Sequence, residues 1–521
     1  MIFTSPYPDV DIPARALTDF VLEHSARYGD KPALVDGPSG RTYTHAETAD
    51  AIRAADGALA ARGIAKGDVV ALYAPNAPEY AIAFHAVAAL GAVATTINPI
   101  YTVDELAFQL EHAGARMLIS GADVLDRARA AARRAGIDEL YVFGDAEDGA
   151  TPFATLLEGD PAAAPEAPAG PDDLVALPYS SGTTGLPKGV MLTHRNLVAN
   201  VLQSTVQQPV TADDTLIGVL PLFHIYGLSV VMNAVLRNGA TLVTMPRSDL
   251  EGFLALVQEH RATKAHLVPP IVLALAKSPL VERYDLSSLQ LVNSGAAPLS
   301  AELAEAAAAR VGCPVVQGYG MTESSPVTHV TPADPARHRP GSIGPPVPNT
   351  ECRIVAVGTG AELGPGEDGE VCVRGPQVMR GYLDDPEATA RTIDPDGWLR
   401  TGDVGRADED GYVVLVDRVK ELIKYKGYQV APAELEALLV EHPAVTEAAV
   451  IGRPDEEAGE VPMAFVALAD EATPEEIMAW VAKRVAPYKK LRDLQVVEEI
   501  PKSASGKILR RVLADRAHTS G

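Results

Sequence analysis

The sequence predicts an α/β protein: a large N-terminal domain of helix-covered sheets, a β-rich subdomain, and a small α+β C-terminal domain. From about residue 15 to 330, short apolar segments alternate with helical ones, as in parallel sheets covered by helices. From about residue 350, strand-like segments are separated by turns rich in Gly, Asp and Pro, which is typical of a β-rich unit. After Arg418 a separate set of helical and strand-like segments follows.

In the first region the predicted strands are short apolar runs, and the predicted helices are longer. The strands cover residues 69–73, 174–177, 216–220, 241–244, 266–268 and 289–293. The helices cover residues 124–135, 250–260 and 301–311, and Gly136 is a typical residue just past a helix end. The longest apolar run, residues 80–97, contains His85 and Gly91, so we expect a buried core helix there rather than a membrane span.

The later elements define the domain boundaries. Strands are predicted at residues 352–357, 370–374 and 412–416, in a β-rich subdomain of about residues 345–417. This subdomain completes a large domain of residues 1–417, and residues 418–521 form the small domain. The small domain is predicted to contain helices 433–441 and 474–484, strands near 448–451 and 464–468, and a final basic tail.

Composition excludes several classes of protein. The 521 residues carry a formal net charge of −25, which argues against nonspecific binding to nucleic acid or anionic membranes. Three widely spaced cysteines, Cys313, Cys352 and Cys372, indicate buried free thiols rather than a disulfide framework or a zinc site. The N-terminus lacks a basic region followed by an apolar core, so no secretory signal is predicted and we expect a cytoplasmic protein.

The segment of residues 180–189, SSGTTGLPKG, is the most informative part of the chain. Its glycines let backbone N–H groups approach an anion, its hydroxyls donate hydrogen bonds, and Lys188 adds a positive charge. It differs from a Walker A loop because Pro187 precedes the lysine and Gly189 follows it. A polyphosphate site other than that of P-loop ATPases is therefore predicted.

Five further segments carry glycines, aromatic rings and charged side chains at predicted strand ends or turns. They are PLFHIYG at 221–227, NSGAAP at 293–298, QGYGMTE at 317–323, GWLRTGD at 397–403 and DRVKELIKYKG at 417–427. The fourth is expected to place the Asp403 carboxylate on a turn. Ligands of open α/β sheets bind at the carboxyl ends of the strands, where most of these segments would lie.

In this order the segments resemble the motifs of the adenylate-forming superfamily, which includes acyl- and aryl-CoA ligases, carrier-protein adenylation domains and firefly luciferase. Residues 180–190 and 369–375 resemble the two signature boxes of its 4-coumarate:CoA ligase group, and the resemblance runs from about residue 15 to 512. It implies a two-step reaction. A carboxylate attacks the α-phosphate of MgATP to give an acyl adenylate and pyrophosphate, and a thiol, here coenzyme A, then displaces AMP.

The resemblance implies a role for each polar position of the nucleotide site. The pyrophosphate end is held by Ser180, Ser181, Gly182, Thr183, Thr184 and Lys188. Thr184 and Glu323 are the oxygen ligands on the side of Mg²⁺, and Thr322 is a further cofactor-site residue. The adenine is framed by Gly295, Ala296, Ala297, Gln317, Gly318 and Tyr319, whose ring stacks on the base. Asp403 accepts hydrogen bonds from both ribose hydroxyls, and Arg418 lies close to the ribose and phosphates.

For the small domain the resemblance implies movement between two half-reactions. Lys507 is the lysine that bridges the substrate carboxylate and the α-phosphate, and Lys420 is the hinge. After adenylation the domain swings and brings its second set of residues to the acyl adenylate. This set comprises Lys424, Lys426, Gly427 and Gln429. Gly427 would line the pantetheine tunnel, where a side chain would obstruct it.

Some positions have a structural alternative. His224 is assigned a catalytic role by its motif, although a lone histidine is also compatible with a place in the core. Arg247 stands where coumarate ligases use a lysine near CoA. Residues 369–375 are expected to be structural, with Cys372 in the core, and residues 489–490 are compatible with a solvated charged face.

The acyl pocket is expected to include Tyr226, Ser229, Val230, Asn293, Gly320 and Val327, with Ile225, Gly295, Pro326 and Thr328. Ser229, Asn293 and Thr328 depart from the residues of coumarate ligases. Because residues 222–230 contain no carboxylate to pair an ammonium group, an amino acid substrate is not expected.

A hydroxycinnamate-like aryl acid is the predicted substrate of a monomer or homodimer that binds no nucleic acid and has no integral membrane segment. The alternatives are a medium- or long-chain fatty acyl-CoA synthetase, a luciferase-like oxygenase and a ligase that loads a carrier protein. A non-catalytic nucleotide-binding relative would lack Lys507, Glu323 or Asp403, and all three are present.

Overall fold

The computed structural model of the protein describes residues 1–145, 149–165, 169–180, 187–247, 249–419, 421–426, 428–455, 457–502 and 508–519. Within these ranges the chain forms two large sheets, a smaller antiparallel sheet and a further sheet near the C-terminus, with helices packed against them. The predicted α/β class, with helix-covered sheets followed by a β-rich unit and a small α+β unit, is confirmed.

The first large sheet contains the strand that follows the glycine-rich segment. Its strands are β4 Val69–Tyr73, β5 Val93–Thr96, β6 Ala115–Gly121, β7 Glu139–Phe143, β8 Thr151–Pro152, β9 Leu174–Ala176, β10 Tyr179–Ser180, β11 Lys188–Thr193 and β20 Gly381–Tyr382. The order is β10-β11-β9-β5-β4-β6-β7-β8, and β20 pairs with β11. Strands β9, β5, β4, β6, β7 and β8 run parallel, whereas β11 is antiparallel to its three neighbours.

The second large sheet carries most of the candidate site on its strand ends. Its strands are β2 Pro32–Asp36, β3 Thr42–Thr44, β12 Thr215–Gly218, β13 Thr241–Thr244, β14 Lys264–Leu267, β15 Leu291–Ser294, β16 Val315–Gly320 and β17 Val327–Val330. The order is β17-β16-β15-β14-β12-β13-β2-β3. The interior pairs are parallel, and β17 and β3 pair antiparallel at the edges.

The helices are α1 Leu17–Leu22, α2 Ser25–Tyr28, α3 His45–Ala61, α4 Pro78–Ala89, α5 Val103–Ala113, α6 Leu125–Ala135, α7 His194–Gln207, α8 Ala234–Asn238, α9 Leu250–His260, α10 Pro269–Lys277, α11 Ala301–Val311, α12 Pro386–Thr392, α13 Pro432–Val440, α14 Pro474–Ala482 and α15 Arg510–Thr519. A π-helical stretch, Tyr226–Asn233, precedes α8. Both large sheets share one apolar core with α1, α3, α4 and α7. No helix in the described ranges is long and apolar enough to cross a membrane.

The single buried helix expected over residues 80–97 is wrong. Helix α4 ends at Ala89, and the chain turns at Gly91, which has a φ of 74°, and then forms β5. Every residue of α4 from Pro78 to Ala88 is buried, so the apolar run continues from helix into strand without a change in hydrophobicity. Glycine favours the left-handed turn that separates them.

The β-rich subdomain contains a strand from the N-terminus that its predicted range did not include. Its strands are β1 Phe3–Thr4, β18 Glu351–Val355, β19 Gly369–Arg374, β21 Leu399–Ala407 and β22 Val413–Arg418. The predicted turn at Asp403 is wrong, because Asp403 lies within β21, opposite Arg418 of β22. The turn comes earlier, at Gly397, whose φ is 83°.

The small C-terminal unit has its own apolar core. Its strands are β23 Ile423–Tyr425, β24 Tyr428–Val430, β25 Val445–Asp455, β26 Gly459–Leu468 and β27 Asp493–Val496. The expected basic tail is instead helix α15, because Leu513 is fully buried against Phe465 and its neighbours. The guanidinium of Arg510 holds the start of α15 through Glu421 and Glu436, each 2.7 Å away.

Candidate active site

Three of the polar segments, at residues 221–227, 293–298 and 317–323, lie at the carboxyl ends of strands of the second sheet. Strand β15 ends at Ser294 and leads to Gly295, and β16 carries Tyr319. The edge strand β17 returns beside Tyr319 through the pair Tyr319↔His329. The position agrees with the rule that open α/β sheets bind ligands at these ends.

One cluster surrounds the carboxylate of Glu323. The side chain is buried, with 5% of its residue surface exposed. Its Oε1 accepts hydrogen bonds from Ser180 Oγ and from the Tyr382 hydroxyl, both at 2.9 Å. Ser180 and Glu323 are thus brought together from positions 143 residues apart. Tyr382 was missed, and its only sequence signal is the short Gly-Tyr step at 381–382.

Lys188 belongs to the same cluster. Its side chain is 16% exposed, and its Nζ lies 3.5 Å from Asp385 Oδ2 and 5.1 Å from the ring centroid of Tyr382. A cation over the face of an aromatic ring is attracted by the ring quadrupole. The one charged nitrogen of the glycine-rich segment is therefore held beside Tyr382, whose hydroxyl bonds the Glu323 carboxylate.

The residues present fit a magnesium ion. Both hydrogen bonds that described residues donate to the Glu323 carboxylate reach Oε1, which leaves Oε2 without a donor in the described part of the chain. A carboxylate oxygen is the kind of ligand that Mg²⁺ prefers. Thr184, the other predicted ligand, lies outside the described residues, as do Ser181, Gly182 and Thr183.

A second cluster joins Tyr319, Asp403 and Arg418. The Tyr319 hydroxyl donates to Asp403 Oδ2 at 2.5 Å, and Arg418 Nε lies 3.1 Å from Asp403 Oδ1. The Asp403 side chain is 10% exposed. Burial, then the charge of Asp403, raises the pKa of Tyr319, so this hydroxyl stays protonated. The structure thus brings together the residues predicted for adenine, ribose and phosphate.

The small-residue segment after β15 is supported by Gln317. The side-chain Oε1 of Gln317 accepts a hydrogen bond from Leu299 N at 3.1 Å. Gly295 is buried, and a Cβ placed on it would lie 2.8 Å from Tyr226 Cε1. Ala296 has a φ of 70°, a left-handed conformation that is uncommon for alanine. Ala297 follows it in the same turn, and Gly318 and Thr322 lie nearby on β16 and the turn after it.

A pocket opens beside these residues. The predicted acyl-site residues Tyr226, Val230, Asn293, Gly320 and Val327 line it. Ser229 does not line it, although it belongs to the same π-helical stretch as Tyr226 and Val230; its side chain is turned away from the pocket into the core, with 1% of the residue exposed. Gly295 and Tyr319 also line the pocket, which connects it directly to the second cluster.

A buried polar chain forms part of the pocket wall. Gln208 Nε2 donates to Asn293 Oδ1 at 3.1 Å and to Thr331 O at 2.8 Å, and Asn293 Nδ2 donates to the Tyr226 hydroxyl at 2.8 Å. His266 lies 3.4 Å from the same hydroxyl. Burial, and to a lesser extent Lys264, lowers the pKa of His266 to about 4, so its ring is neutral near pH 7.

Gln208 and His266 were both missed as pocket residues. His266 was assigned only to a predicted strand, and Gln208 follows α7 in a segment without a motif. Only the parallel pairing of β14 with β15 places His266 opposite Asn293.

His224 also lines the pocket. Its Nδ1 accepts a hydrogen bond from Tyr226 N at 3.3 Å, so the neutral ring carries its proton on Nε2. This hydrogen bond fixes the ring at the end of the segment that follows β12. The arrangement differs from that of a histidine buried in the core.

The candidates Lys424, Lys426, Gln429 and Arg247 are not among the described residues that line the pocket. Lys424 and Lys426 are exposed on the β23–β24 hairpin, where Lys424 N donates to Glu460 Oε2 at 2.8 Å and Lys426 Nζ lies 3.9 Å from Glu457. Arg247 is exposed shortly after β13. Gln429 lies in β24. Lys420, Gly427 and Lys507 lie outside the described residues.

Two family models and a set of curated relatives match this chain. The model of the AMP-binding enzyme family matches residues 21–383, and the model of the AMP-binding enzyme C-terminal domain matches residues 434–507. The chain is 46% identical to 4-coumarate–CoA ligase 3 of Oryza sativa subsp. japonica, over 99% of this chain and 95% of the relative. It is 45% identical to 4-coumarate–CoA ligase 1 of Petroselinum crispum, over 99% of this chain and 97% of the relative.

Solved structures show the same fold. The anthranilate CoA ligase AuaEII in complex with anthranoyl-AMP has a TM-score of 0.91 and 27% identity, covering 98% of both chains. ATP-bound MatB from Rhodopseudomonas palustris has a TM-score of 0.89 and 31% identity, covering 97% of this chain and 99% of that one.

Fold and site together define an AMP-forming acid–thiol ligase, which uses ATP to activate a carboxylate. The chain belongs to the family of AMP-binding enzymes. The predicted membership of the adenylate-forming superfamily is thereby confirmed.

Proposed function

We propose that this chain is an ATP-dependent carboxylate–CoA ligase whose substrate is a hydroxycinnamate-like aryl acid. The acid and ATP give an acyl adenylate and pyrophosphate, and CoA then gives the acyl-CoA and AMP. The observation that carries the proposal is that the acid pocket and the second cluster share a residue. Gly295 and Tyr319 line the pocket, and the Tyr319 hydroxyl also bonds Asp403. We call the cluster of Tyr319, Asp403 and Arg418 the nucleotide cluster. The relatives named as 4-coumarate–CoA ligases support the aryl acid.

The chemistry of the pocket wall favours a monocarboxylic acid with a polar distal group. Among the described residues that line it, none is Asp, Glu, Lys or Arg. A second carboxylate or an ammonium group would be buried there without a counter-charge, which is costly. The Tyr226 hydroxyl and the amides of Asn293 and Gln208 can instead bond a neutral phenolic hydroxyl.

Each cluster then has a distinct task in the first half-reaction. Asp403 and Tyr319 bind and orient the nucleoside, and Lys188 holds the phosphates as pyrophosphate leaves, while the Ser180 hydroxyl holds Glu323. Bound Mg²⁺, held by Glu323 and Thr184, would neutralise phosphate charge. Lys507 bridges the two reacting groups. Catalysis in such a site is mostly positioning and electrostatic stabilisation of developing charge.

The second half-reaction requires a division of the chain that stays a prediction. The large domain spans residues 1–417 and the small domain residues 418–521, with Lys420 as hinge. Lys424, Lys426, Gly427 and Gln429 then approach the acyl adenylate, and Arg247 binds near CoA. The exposure of Lys424 and Lys426 supports this assignment, since exposed side chains can reach a new partner after rotation. The cytoplasmic location and a monomeric or homodimeric state are further predictions.

The deciding experiment measures pyrophosphate release and thioester formation for a panel of acids, each with and without CoA. The panel contains 4-hydroxycinnamate, cinnamate, benzoate, phenylacetate and fatty acids from C6 to C16. We expect the highest kcat/KM for 4-hydroxycinnamate and a thioester product only with CoA. A fatty acid that exceeds every aryl acid would refute the substrate class. AMP release at the same rate with and without CoA, for every acid, would refute the assignment as a CoA ligase.

A further inference from the structure

The segment of residues 379–385 contacts both charged residues of the first cluster, Glu323 and Lys188. We call the cluster of Ser180, Lys188, Glu323 and Tyr382 the phosphate cluster. It pairs with β11 through Val190↔Tyr382 and Met191↔Gly381. Two more backbone bonds extend this pairing, Arg380 N to Met191 O at 3.0 Å and Leu383 N to Gly189 O at 2.8 Å. At its start, Met379 N donates to Glu323 O at 2.8 Å. One short segment is therefore bonded to the strand that begins at Lys188 and to the turn that carries Glu323.

Tyr382 is the residue through which this segment reaches the Glu323 side chain. It is 7% exposed, and its hydroxyl donates to Glu323 Oε1 at 2.9 Å. Tyr382 N is itself held by Thr389 Oγ1 at 2.9 Å. With Ser180 Oγ also on Oε1, the carboxylate is fixed in rotation by two donors on the same oxygen.

The same side chain supports Lys188. The Nζ of Lys188 lies 5.1 Å from the Tyr382 ring centroid, and Asp385, three residues further on, lies 3.5 Å from that Nζ. The ring and the carboxylate both attract the ammonium group. The lysine is therefore held by two neighbours on one segment, rather than free to rotate as a solvated side chain.

We propose that Tyr382 is a positioning residue for the phosphate end of the site: its hydroxyl orients Glu323 so that Oε2 is available to the metal ion, and its ring holds Lys188 for pyrophosphate. The proposal rests on the proposed ATP-dependent function, because it assigns a role toward MgATP. Tyr382 acts through Glu323 and Lys188 and takes no part in bond making.

The two parts of the side chain are separated by two substitutions. Tyr382→Phe removes the hydroxyl and keeps the ring, so Glu323 keeps only the Ser180 donor among the described residues and Lys188 keeps its aromatic neighbour. Tyr382→Leu removes both. Asp385→Asn removes the charge beside Lys188, while asparagine can still accept from Ala388 N at the start of α12. It leaves the Tyr382 hydroxyl intact, so it reports on the lysine even if Tyr382→Leu fails to fold.

Metal binding is measured directly by electron paramagnetic resonance, with Mn²⁺ and α,β-methylene-ATP on the full-length protein. Loss of one hydrogen bond to a charged group corresponds to a loss of about tenfold or more in affinity. We therefore expect Mn²⁺ affinity to fall about tenfold in Tyr382→Phe, with the KM for the acid unchanged. In Asp385→Asn and Tyr382→Leu, we expect pyrophosphate to become a weaker inhibitor, by about two- to fivefold in the first.

Tyr73→Phe is the matched control. Its hydroxyl is also buried and lies 3.0 Å from Pro99 O and Tyr101 O, remote in sequence from the phosphate cluster. It should lower the melting temperature and leave Mn²⁺ affinity unchanged. Equal Mn²⁺ affinity in Tyr382→Phe and wild type, both folded by circular dichroism, would overturn the proposal. A raised KM for the acid in Tyr382→Phe would also overturn it.

The measurement of Mn²⁺ affinity does not depend on which acid is the substrate. If the wild type binds Mn²⁺ with the nucleotide analogue but activates no acid, the proposed function fails, and the comparison of Tyr382→Phe with wild type still decides the role of Tyr382.

Discussion

Replacing Asp403 by Asn tests the nucleotide cluster most directly. The carboxylate of Asp403 is 10% exposed and receives Arg418 Nε at 3.1 Å and the Tyr319 hydroxyl at 2.5 Å. In the proposed complex it also accepts from the two ribose hydroxyls. The substitution keeps the shape of the side chain but removes its charge and turns one of its acceptor oxygens into a donor.

The magnitude follows from the number of bonds affected. A hydrogen bond to a charged group contributes about 1.5–3 kcal/mol, against about 0.5–1.5 kcal/mol for a neutral pair. Two ribose bonds therefore lose about 2–3 kcal/mol together, which is about 30- to 150-fold in the apparent affinity for ATP. The KM for the acid should change little, because Asp403 is not among the described residues that line the acid pocket.

The assay compares ATP with 2′-deoxy-ATP in pyrophosphate release. Wild type should prefer ATP, because the deoxy analogue lacks one of the two hydroxyls. Asp403→Asn should lose most of this preference, since the partner of that hydroxyl is altered. Asp394→Asn is the matched control, because Asp394 pairs with Arg353 at 3.0 Å in the same subdomain. If Asp403→Asn keeps the wild-type ratio of ATP to 2′-deoxy-ATP, Asp403 only anchors Arg418 and our placement of the ribose is wrong.

Three further predictions concern other parts of the chain. Lys507→Ala should abolish pyrophosphate release yet largely spare thioester formation from supplied acyl adenylate, and equal loss of both steps would contradict domain alternation. Gly295→Ala would place a Cβ 2.8 Å from Tyr226 Cε1, and the displaced ring should raise the KM for 4-hydroxycinnamate about tenfold relative to benzoate; an unchanged ratio would count against the pocket. Asp56→Asn should stabilise the protein by about 1–3 kcal/mol at pH 8 and by little at pH 4 in chemical unfolding. Burial, and to a lesser extent the negative charge of Asp19, raises the pKa of Asp56 from 3.8 to about 6. The wild type therefore loses stability as the pH rises through this range. A stability difference between Asp56→Asn and wild type that is independent of pH would refute this reasoning.

Elements with local end signals were predicted to the residue. Helix α11 covers residues 301–311 as predicted, because Ser300 Oγ accepts from Leu303 N at 3.2 Å and Gly312 takes a φ of 77° just past the end. Helix α9 begins after Asp249 in the same way. Caps and left-handed glycines act within a few residues, so they are visible in a single sequence.

Elements defined by burial were predicted less well. The run of residues 80–97 is buried on all sides and shows no period that separates α4 from β5. The C-terminal helix α15 carries enough charge to look like a solvated tail, and only its contact with Phe465 shows that Leu513 belongs to a core. Periodicity distinguishes half-buried elements and fails where every face is covered.

For the function, the sequence by itself determined the chemical groups of the site: the anion-binding segment with Lys188, and the Glu323, Asp403 and Lys507 side chains in a fixed order. Tertiary structure decided which of them meet. Glu323 is joined to Tyr382 across 59 residues and Tyr319 to Asp403 across 84, and Gln208 is joined to Asn293 across 85. Such contacts depend on strand pairing and on the burial of polar groups that must find partners, and neither leaves a pattern in neighbouring residues.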